Sequence, residues 1–522
     1  MVVLVVAVLP GRATKPKLII RIKALIFESF FCFYTSKFQI PLANNLKSES
    51  YEVFRHLNPS VSNIERFAFN LLLFIIFWAP IPLGSNRPWA WGLLEIMCYT
   101  LFLLSIWSFK NSWKDRLSHH SIPILCFSLF VLWNLIQIVP LPKSLISIIS
   151  PNALTFYEHL PGVVSFVTLS IDSGQSLVSL YKGIAYLGLF ISVLLLCETD
   201  SRIRLLVLAI VMTGVLQALY GSVEVLSGLN RSPVFDLPVK TNATGSFVYK
   251  NHFANYLMLC LSMGVGYLIA TLSSQSSTSR DKLRTLLSTF LSTKAIVRIG
   301  LAIMVIALVM SRSRMGNTAF FTSMTIVGFA AWFLFKNRTR GLSILIISLF
   351  VIDMFILSAW FGLDKIKERI ETTSLTHETR DEVVRDSLPM LKDYAVTGSG
   401  MGSYYSLYPV YQSDEVHLFY DHAHNDYLQF LIEAGSVSSF IILMVPLIAA
   451  TRCVKAMRKR RNKLIQGVAF GVLMGVIGML IHISVDFPLQ APANTSLFVT
   501  ILALGLLTKK SSHKGVDRRR EP

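Results

Sequence analysis

Apolar runs of about 17 to 22 residues recur along this chain, each long enough for a helix to cross a hydrocarbon core roughly 30 Å thick. In lipid, backbone N–H and C=O groups must be satisfied within the spanning element, so such runs fold as helices. They lie at about 67–83, 89–108, 121–139, 179–197, 203–225, 253–272, 297–311, 317–335, 342–361, 436–451, 464–483 and 493–508. The expected fold is an all-α polytopic membrane protein with about 12 transmembrane helices, counted from these runs. Of its 522 residues 53% are hydrophobic and 15% charged, with mean hydropathy +0.56. That is too apolar for a soluble chain of this length.

The basic residues set an expected orientation. Connections at 110–116, 280–294, 336–340 and 452–461 are basic, as is the tail from Lys509 to Arg520. With twelve spans all of these fall on one side, which the positive-inside rule makes cytoplasmic, with both termini inside. The formal net charge of +19 is thus a topology signal, and no nucleic-acid partner is read from it. The partner it does imply is membrane lipid. Residues 65–361 are expected to hold helices 1–9, residues 362–435 a long external loop, residues 436–508 helices 10–12, and residues 509–522 a basic cytoplasmic tail. Residues 1–64 admit three readings: a signal-like segment, an amphipathic surface helix, or a mis-assigned start. The expectation is a cytoplasmic extension with little function.

Four notable segments are then external: 140–178, 226–252, the turn 311–316 and the loop 362–435. So large a loop is uncommon as a plain connector. The six cysteines fall in apolar spans or on the cytoplasmic side, which disfavours a disulfide framework, and no Cys/His zinc spacing occurs.

Ionisable groups crowd at the end of the long loop, in Asp421-His422-Ala423-His424-Asn425-Asp426-Tyr427-Leu428-Gln429. Spanning a membrane requires none of them. His422 and His424, two apart, fit a metal site with Asp421 and Asp426, simple hydrogen bonding, or a general base that accepts a hydroxyl proton near neutral pH. A helix from Asn425 to Ala434 would put Asn425, Gln429 and Glu433 on one polar stripe, with Gly435 as its stop. The turn Ser311-Arg312-Ser313-Arg314-Met315-Gly316 carries two arginines against the charge bias. They read either as interfacial anchors or as a guanidinium clamp for a phosphate. Lys250, Asn251 and His252 begin the sixth span, where headgroups and sugars are met or where an aromatic belt snorkels. Arg380 and Arg385 lie on an amphipathic segment, as a solvated face or a further anion site. No phosphate-binding Gly-rich loop or Asp-x-Asp metal motif is present.

These motifs together resemble the O-antigen ligase and polymerase superfamily. His424-Asn425-Asp426-Tyr427-Leu428-Gln429 through Glu433-Ala434-Gly435 is similar to its signature, with Ser438 a mild departure three residues on. Gly245-Ser246-Phe247 with Asn251, Ala254, Tyr256 and Leu257, the Ser313-Arg314-Met315-Gly316 turn, Arg380 ahead of Asp393 and Gly398-x-Gly400-x-Gly402, and Asp486-Phe487-Pro488 match further stretches in the same order. The resemblance covers about residues 65–508.

It implies a membrane-embedded, metal-independent glycosyltransferase of the bacterial inner membrane, with its long loop periplasmic and no cofactor. The donor would be a glycan on undecaprenyl diphosphate, and the acceptor either lipid A-core or a growing polysaccharide. The family's histidine maps onto His424 as the group that deprotonates or orients the acceptor hydroxyl. Its arginines map onto Arg314 and Arg380 as diphosphate ligands, with Arg312 a rival for the first. His422, Asn425, Gln429, Lys250 and Asn251 are candidate substrate-binding residues. The spacing from His-Asn to glycine leans toward a ligase; a polymerase extending lipid-linked repeat units and a transporter of lipid-linked sugars are the alternatives.

Overall fold

A computed structural model describes residues 62–158, 165–228, 230–232, 234–236, 238, 241–271, 293–335 and 380–508. The chain divides into two units. One contains Glu224–Thr241, whose described residues hold an Arg231–Asp236 ion pair at 2.8 Å. The other spans Ser62–Val223 and Asn242–Pro522 and carries everything that follows.

That unit is a helical bundle. Its helices are α1 (Asn63–Trp78), α2 (Pro88–Ser108), α3 (Trp113–Ser118), α4 (Ser121–Gln137), α5 (Lys143–Ile149), α6 (Pro151–Glu158), α7 (Ser173–Leu196), α8 (Asp200–Leu226), α9 (Lys250–Thr271) and α10 (Thr293–Met310). After these come α11 (Arg314–Leu334), α12 (Arg380–Asp393), α13 (Tyr404–Tyr411), α14 (Asp426–Lys459), α15 (Lys463–His482) and α16 (Pro492–Leu507). Seven of the described helices are long and apolar enough to cross a membrane: α2, α7, α8, α9, α11, α14 and α15. The chain is therefore a multi-pass, mainly helical membrane protein. The expected twelve exceeds this number for identifiable reasons. The run at 342–361 lies outside the described residues, α4, α10 and α16 are short apolar helices, and α1 stops at Trp78. Pro80 and Pro82 follow it, and Gly84 adopts φ 69° in a tight turn, so residues 79–87 cannot extend the helix.

Helix α9 is the bundle's axis: 89% of its apolar window is buried, against 28% for α2 at the edge. It crosses α15 where Gly266 meets Gly467 and Gly471 backbone to backbone, with no space for a Cβ on either side. Small residues at helix crossings let lipid-embedded helices approach closely.

The helix ends gather at two ends of the bundle. At one, Arg116 pairs with Glu198 at 2.5 Å, Arg452 reaches His120 at 2.9 Å, and Asn462 bonds Asp200 at 2.6 Å. At the other, segments far apart in sequence build one small subdomain. Strands β1 (Leu141–Pro142) and β2 (Phe166–Val167) pair antiparallel beside α5 and α6. Ile146, Val167 and Leu169 share a buried apolar cluster with Val383, Met390, Tyr404, Leu407, Tyr408 and Ile432. The described parts of segments 140–178 and 362–435, read separately in the sequence, thus contribute to one fold.

Candidate active site

The site is built on the first turn of α14. Asn425 adopts extended backbone and its side chain accepts the Leu428 N–H at 3.1 Å, an N-cap that fixes where the helix begins. Just before it, His424 is held at φ 51°, a left-handed conformation that a non-glycine residue adopts at a cost of order 1–3 kcal/mol. Asp426 is fully buried. Its carboxylate accepts from Leu489 N at 2.9 Å and Gln490 Nε2 at 3.1 Å, while its own N–H donates to Ile483 O at 3.0 Å. Those bonds pin the turn between α15 and α16 against the histidine loop.

The result places Phe487 among three histidines. Its ring centroid lies 4.5 Å from His422, 4.7 Å from His424 and 4.9 Å from His252, with Tyr249 at 5.8 Å. Tyr420 closes the far side of His424 at 5.6 Å. Gln429 orients His422. Its Oε1 accepts the Ala423 N–H at 3.2 Å, so the amide nitrogen is the atom that faces His422 Nδ1 at 3.1 Å. Nδ1 then accepts, and the neutral ring carries its proton on Nε2. Burial pushes the His422 pKa below the ordinary histidine value, with the Asp421 carboxylate opposing. The same Gln429 amide donates to Glu433 at 3.1 Å, and Glu433 accepts the Tyr404 N–H at 3.1 Å.

Behind this row the glycine turn 398–402 grips the end of the first α14 segment. Ser399 and Gly400 donate to the carbonyls of Ile432 and Glu433 at 2.8 and 3.0 Å, and Gly435 breaks the helix at φ 75°, ψ 163°. Fully buried Gln137, the last residue of α4, donates to Thr397 O and Glu433 O, both at 2.9 Å, and accepts the Met401 N–H at 3.3 Å.

Cations approach from α9 and α11. Ser313 caps α11, accepting the Gly316 N–H at 3.2 Å, so Arg314 opens the helix while Arg312 sits before the cap at φ 51°. Both arginine side chains are exposed. Lys250 Nζ reaches Arg312 O at 3.4 Å, and its neighbour Asn251 hydrogen-bonds Asp486. One connected path therefore runs from the Arg312–Arg314 turn through Lys250, Asn251 and Asp486 to Phe487, and from there to His422, His424 and Gln429. Arg380 opens α12 in the outer subdomain; its side chain is outside the described set. Among the described residues no three His, Cys, Asp or Glu side chains gather to hold a metal ion.

Phe487 and Gln137 are structural pieces that residue reading alone did not assign, and Asp426, read there as a possible metal ligand, accepts from Leu489 N and Gln490 Nε2 instead. Phe487 stood in a recognised Asp-Phe-Pro stretch, but nothing in it announces three histidine neighbours. Chemically, the arrangement offers a neutral imidazole, a second imidazole in strained backbone, and cations a short path away. A family model described as O-antigen ligase matches residues 299–443. This part of the chain resembles the O-antigen ligase family. That stretch contains Arg312, Arg314, Arg380, His422, His424, Asn425 and Gln429, whereas Lys250, Asn251 and Phe487 join it only through the fold. The match indicates a glycosyltransferase-like enzyme of the O-antigen ligase or polymerase type, for which lipid-linked polysaccharides are the implied substrates. No curated protein matches the chain.

Proposed function

We propose that the protein is an O-antigen ligase-like glycosyltransferase that moves a glycan from undecaprenyl diphosphate to an acceptor hydroxyl on lipid A-core. The connection between the Ser-Arg turn and the histidine loop, two distant stretches meeting at one end of the bundle, carries this reading. The acceptor hydroxyl loses its proton to His424 as its oxygen attacks the anomeric carbon. The bond from that carbon to the diphosphate oxygen breaks, and the stereochemistry inverts. Arg314, with Arg312 beside it and Arg380 from α12, binds the diphosphate and stabilises the charge that develops on it. Lys250 and Asn251 hold the donor near its headgroup. Gln429 keeps His422 in the tautomer that presents Nε2–H as a donor, and Asn425 sets the height of His424 by capping α14. The energy of the donor's phosphoester bond drives the reaction, so neither ATP nor a metal is needed. All of this takes place at the periplasmic face of the bacterial inner membrane, with twelve spans and both termini cytoplasmic.

The test is a reconstituted transfer assay with undecaprenyl-diphosphate-linked oligosaccharide and either lipid A-core or a second donor molecule as acceptor. Product on lipid A-core is expected, at a rate that EDTA leaves unchanged. A lengthened undecaprenyl-linked chain would make the enzyme a polymerase. Movement of labelled lipid-linked sugar across the bilayer without transfer would make it a transporter.

A further inference from the structure

Tyr405 and Phe419 form an exposed aromatic pair on the outer subdomain. Their rings lie 5.1 Å apart in an edge-to-face arrangement, and they are 49% and 63% exposed, with Leu418 beside them also at 63%. Contiguous exposed apolar patches are a mark of interaction sites. The pair is joined in sequence to the candidate active site: Phe419 is followed by Tyr420, whose ring meets His424 at 5.6 Å.

The charge around the pair selects its occupant. Residues 404–426 contain no Lys or Arg, but carry Asp414, Glu415, Asp421 and Asp426. The first three are exposed, with Glu415 held by Arg385 at 2.6 Å. With Asp172 accepting from Ser406 beside Tyr405 at 2.5 Å and acidic residues flanking Phe419 in sequence, the surroundings disfavour an anionic lipid surface and a diphosphate alike. They suit a neutral pyranose, whose C–H face stacks on an aromatic ring while its hydroxyls donate to carboxylates. Lys250, Arg312 and Arg314 gather elsewhere, at the start of α9 and the turn before α11, where Lys250 Nζ reaches Arg312 O at 3.4 Å.

We propose that Tyr405 and Phe419 are the acceptor-glycan platform, seating a pyranose of the acceptor so that the next sugar's hydroxyl reaches His424. The inference rests on the transferase reading and adds to it an acceptor subsite on α13 and the loop before His422, distinct from the Lys250, Arg312 and Arg314 cations.

The experiment measures binding, independently of transfer. Full-length protein in neutral phosphatidylcholine nanodiscs is titrated with soluble core oligosaccharide freed from lipid A. Tyr405→Ala and Phe419→Ala are each expected to weaken binding about tenfold. Phe419→Trp, which keeps an aromatic face, and His424→Ala are expected to bind as the wild type does. Melting temperatures within a few degrees of wild type show that the alanine variants are folded. Unchanged oligosaccharide binding in both alanine variants overturns the platform. So does loss of their attachment to anionic vesicles in place of loss of sugar binding, which would make the patch a membrane foot. If wild-type protein binds the oligosaccharide through these rings but transfers nothing, the platform stands and the transferase reading fails.

Discussion

His422 and His424 stand two positions apart and face different physical demands. His422 is half-buried and neutral, with its tautomer fixed through Gln429. His424 is held in left-handed backbone between Tyr420 and Phe487. Because burial lowers the His422 pKa, the unfolded chain takes up a proton on this ring before the folded one does. The contribution is fully present above the unfolded value near 6.5, and is lost as pH falls through the lower folded value. Thermal unfolding in detergent is expected to show a melting temperature that declines below about pH 6.5, with a shallower decline in His422→Gln; identical slopes would remove the buried neutral ring from the account. Arg314→Ala is expected to slow transfer by about 10²-fold or more, with Arg314→Lys intermediate because a point charge replaces a fork. Steady-state rates at saturating donor decide this, and full activity of the alanine variant would pass the role to Arg312. At this scale much was legible. The histidines, arginines and Gln429 were visible as chemistry-bearing groups against an apolar background. The capping role of Asn425 followed the general preference for Asn before a helix, whereas the sequence suggested only a polar stripe.

Among elements, the glycine turn 398–402 and the helix break at Gly435 hold the site in place. A Cβ at Gly435 would run into the Val396 carbonyl, and φ 75° with ψ 163° is strained for any L side chain. Gly435→Ala is expected to destabilise the protein by at least ~1–3 kcal/mol, seen as a lowered melting temperature and reduced recovery of monodisperse protein. Gln137→Ala removes three buried hydrogen bonds that tie α4 to the turn and to α14. Leaving their partners unpaired is expected to cost about 1–3 kcal/mol or more, and a wild-type melting temperature would show that water replaces the amide. Hydropathy located these helices because lipid enforces the pattern on sequence. It could not foretell that β1–β2 and α5–α6 share a core with α12 and α13, since Val167, Met390 and Tyr408 carry no local mark of their partners. Nor could it place the end of α1, where proline and a glycine turn override an apolar run.

For the whole molecule, the helix ends divide between two faces, one carrying the Arg116–Glu198 and Arg452–His120 contacts and the other the candidate site. The proposed orientation puts the second face outside. Asp414→Cys is expected to react with a membrane-impermeant maleimide on spheroplasts, and Lys459→Cys only after permeabilisation; the reverse pattern would invert the topology. The central claim is that transfer chemistry occurs at His424 while donor recognition lies with the cations Lys250, Arg312 and Arg314. It is tested most directly by reconstituting His424→Ala beside the wild type, measuring donor binding and single-turnover transfer to lipid A-core in the same preparation. Donor affinity within about threefold of wild type is expected, with transfer reduced by about 10²–10⁴-fold, as for loss of a general base. Transfer at the wild-type rate in the His424→Ala variant would contradict it.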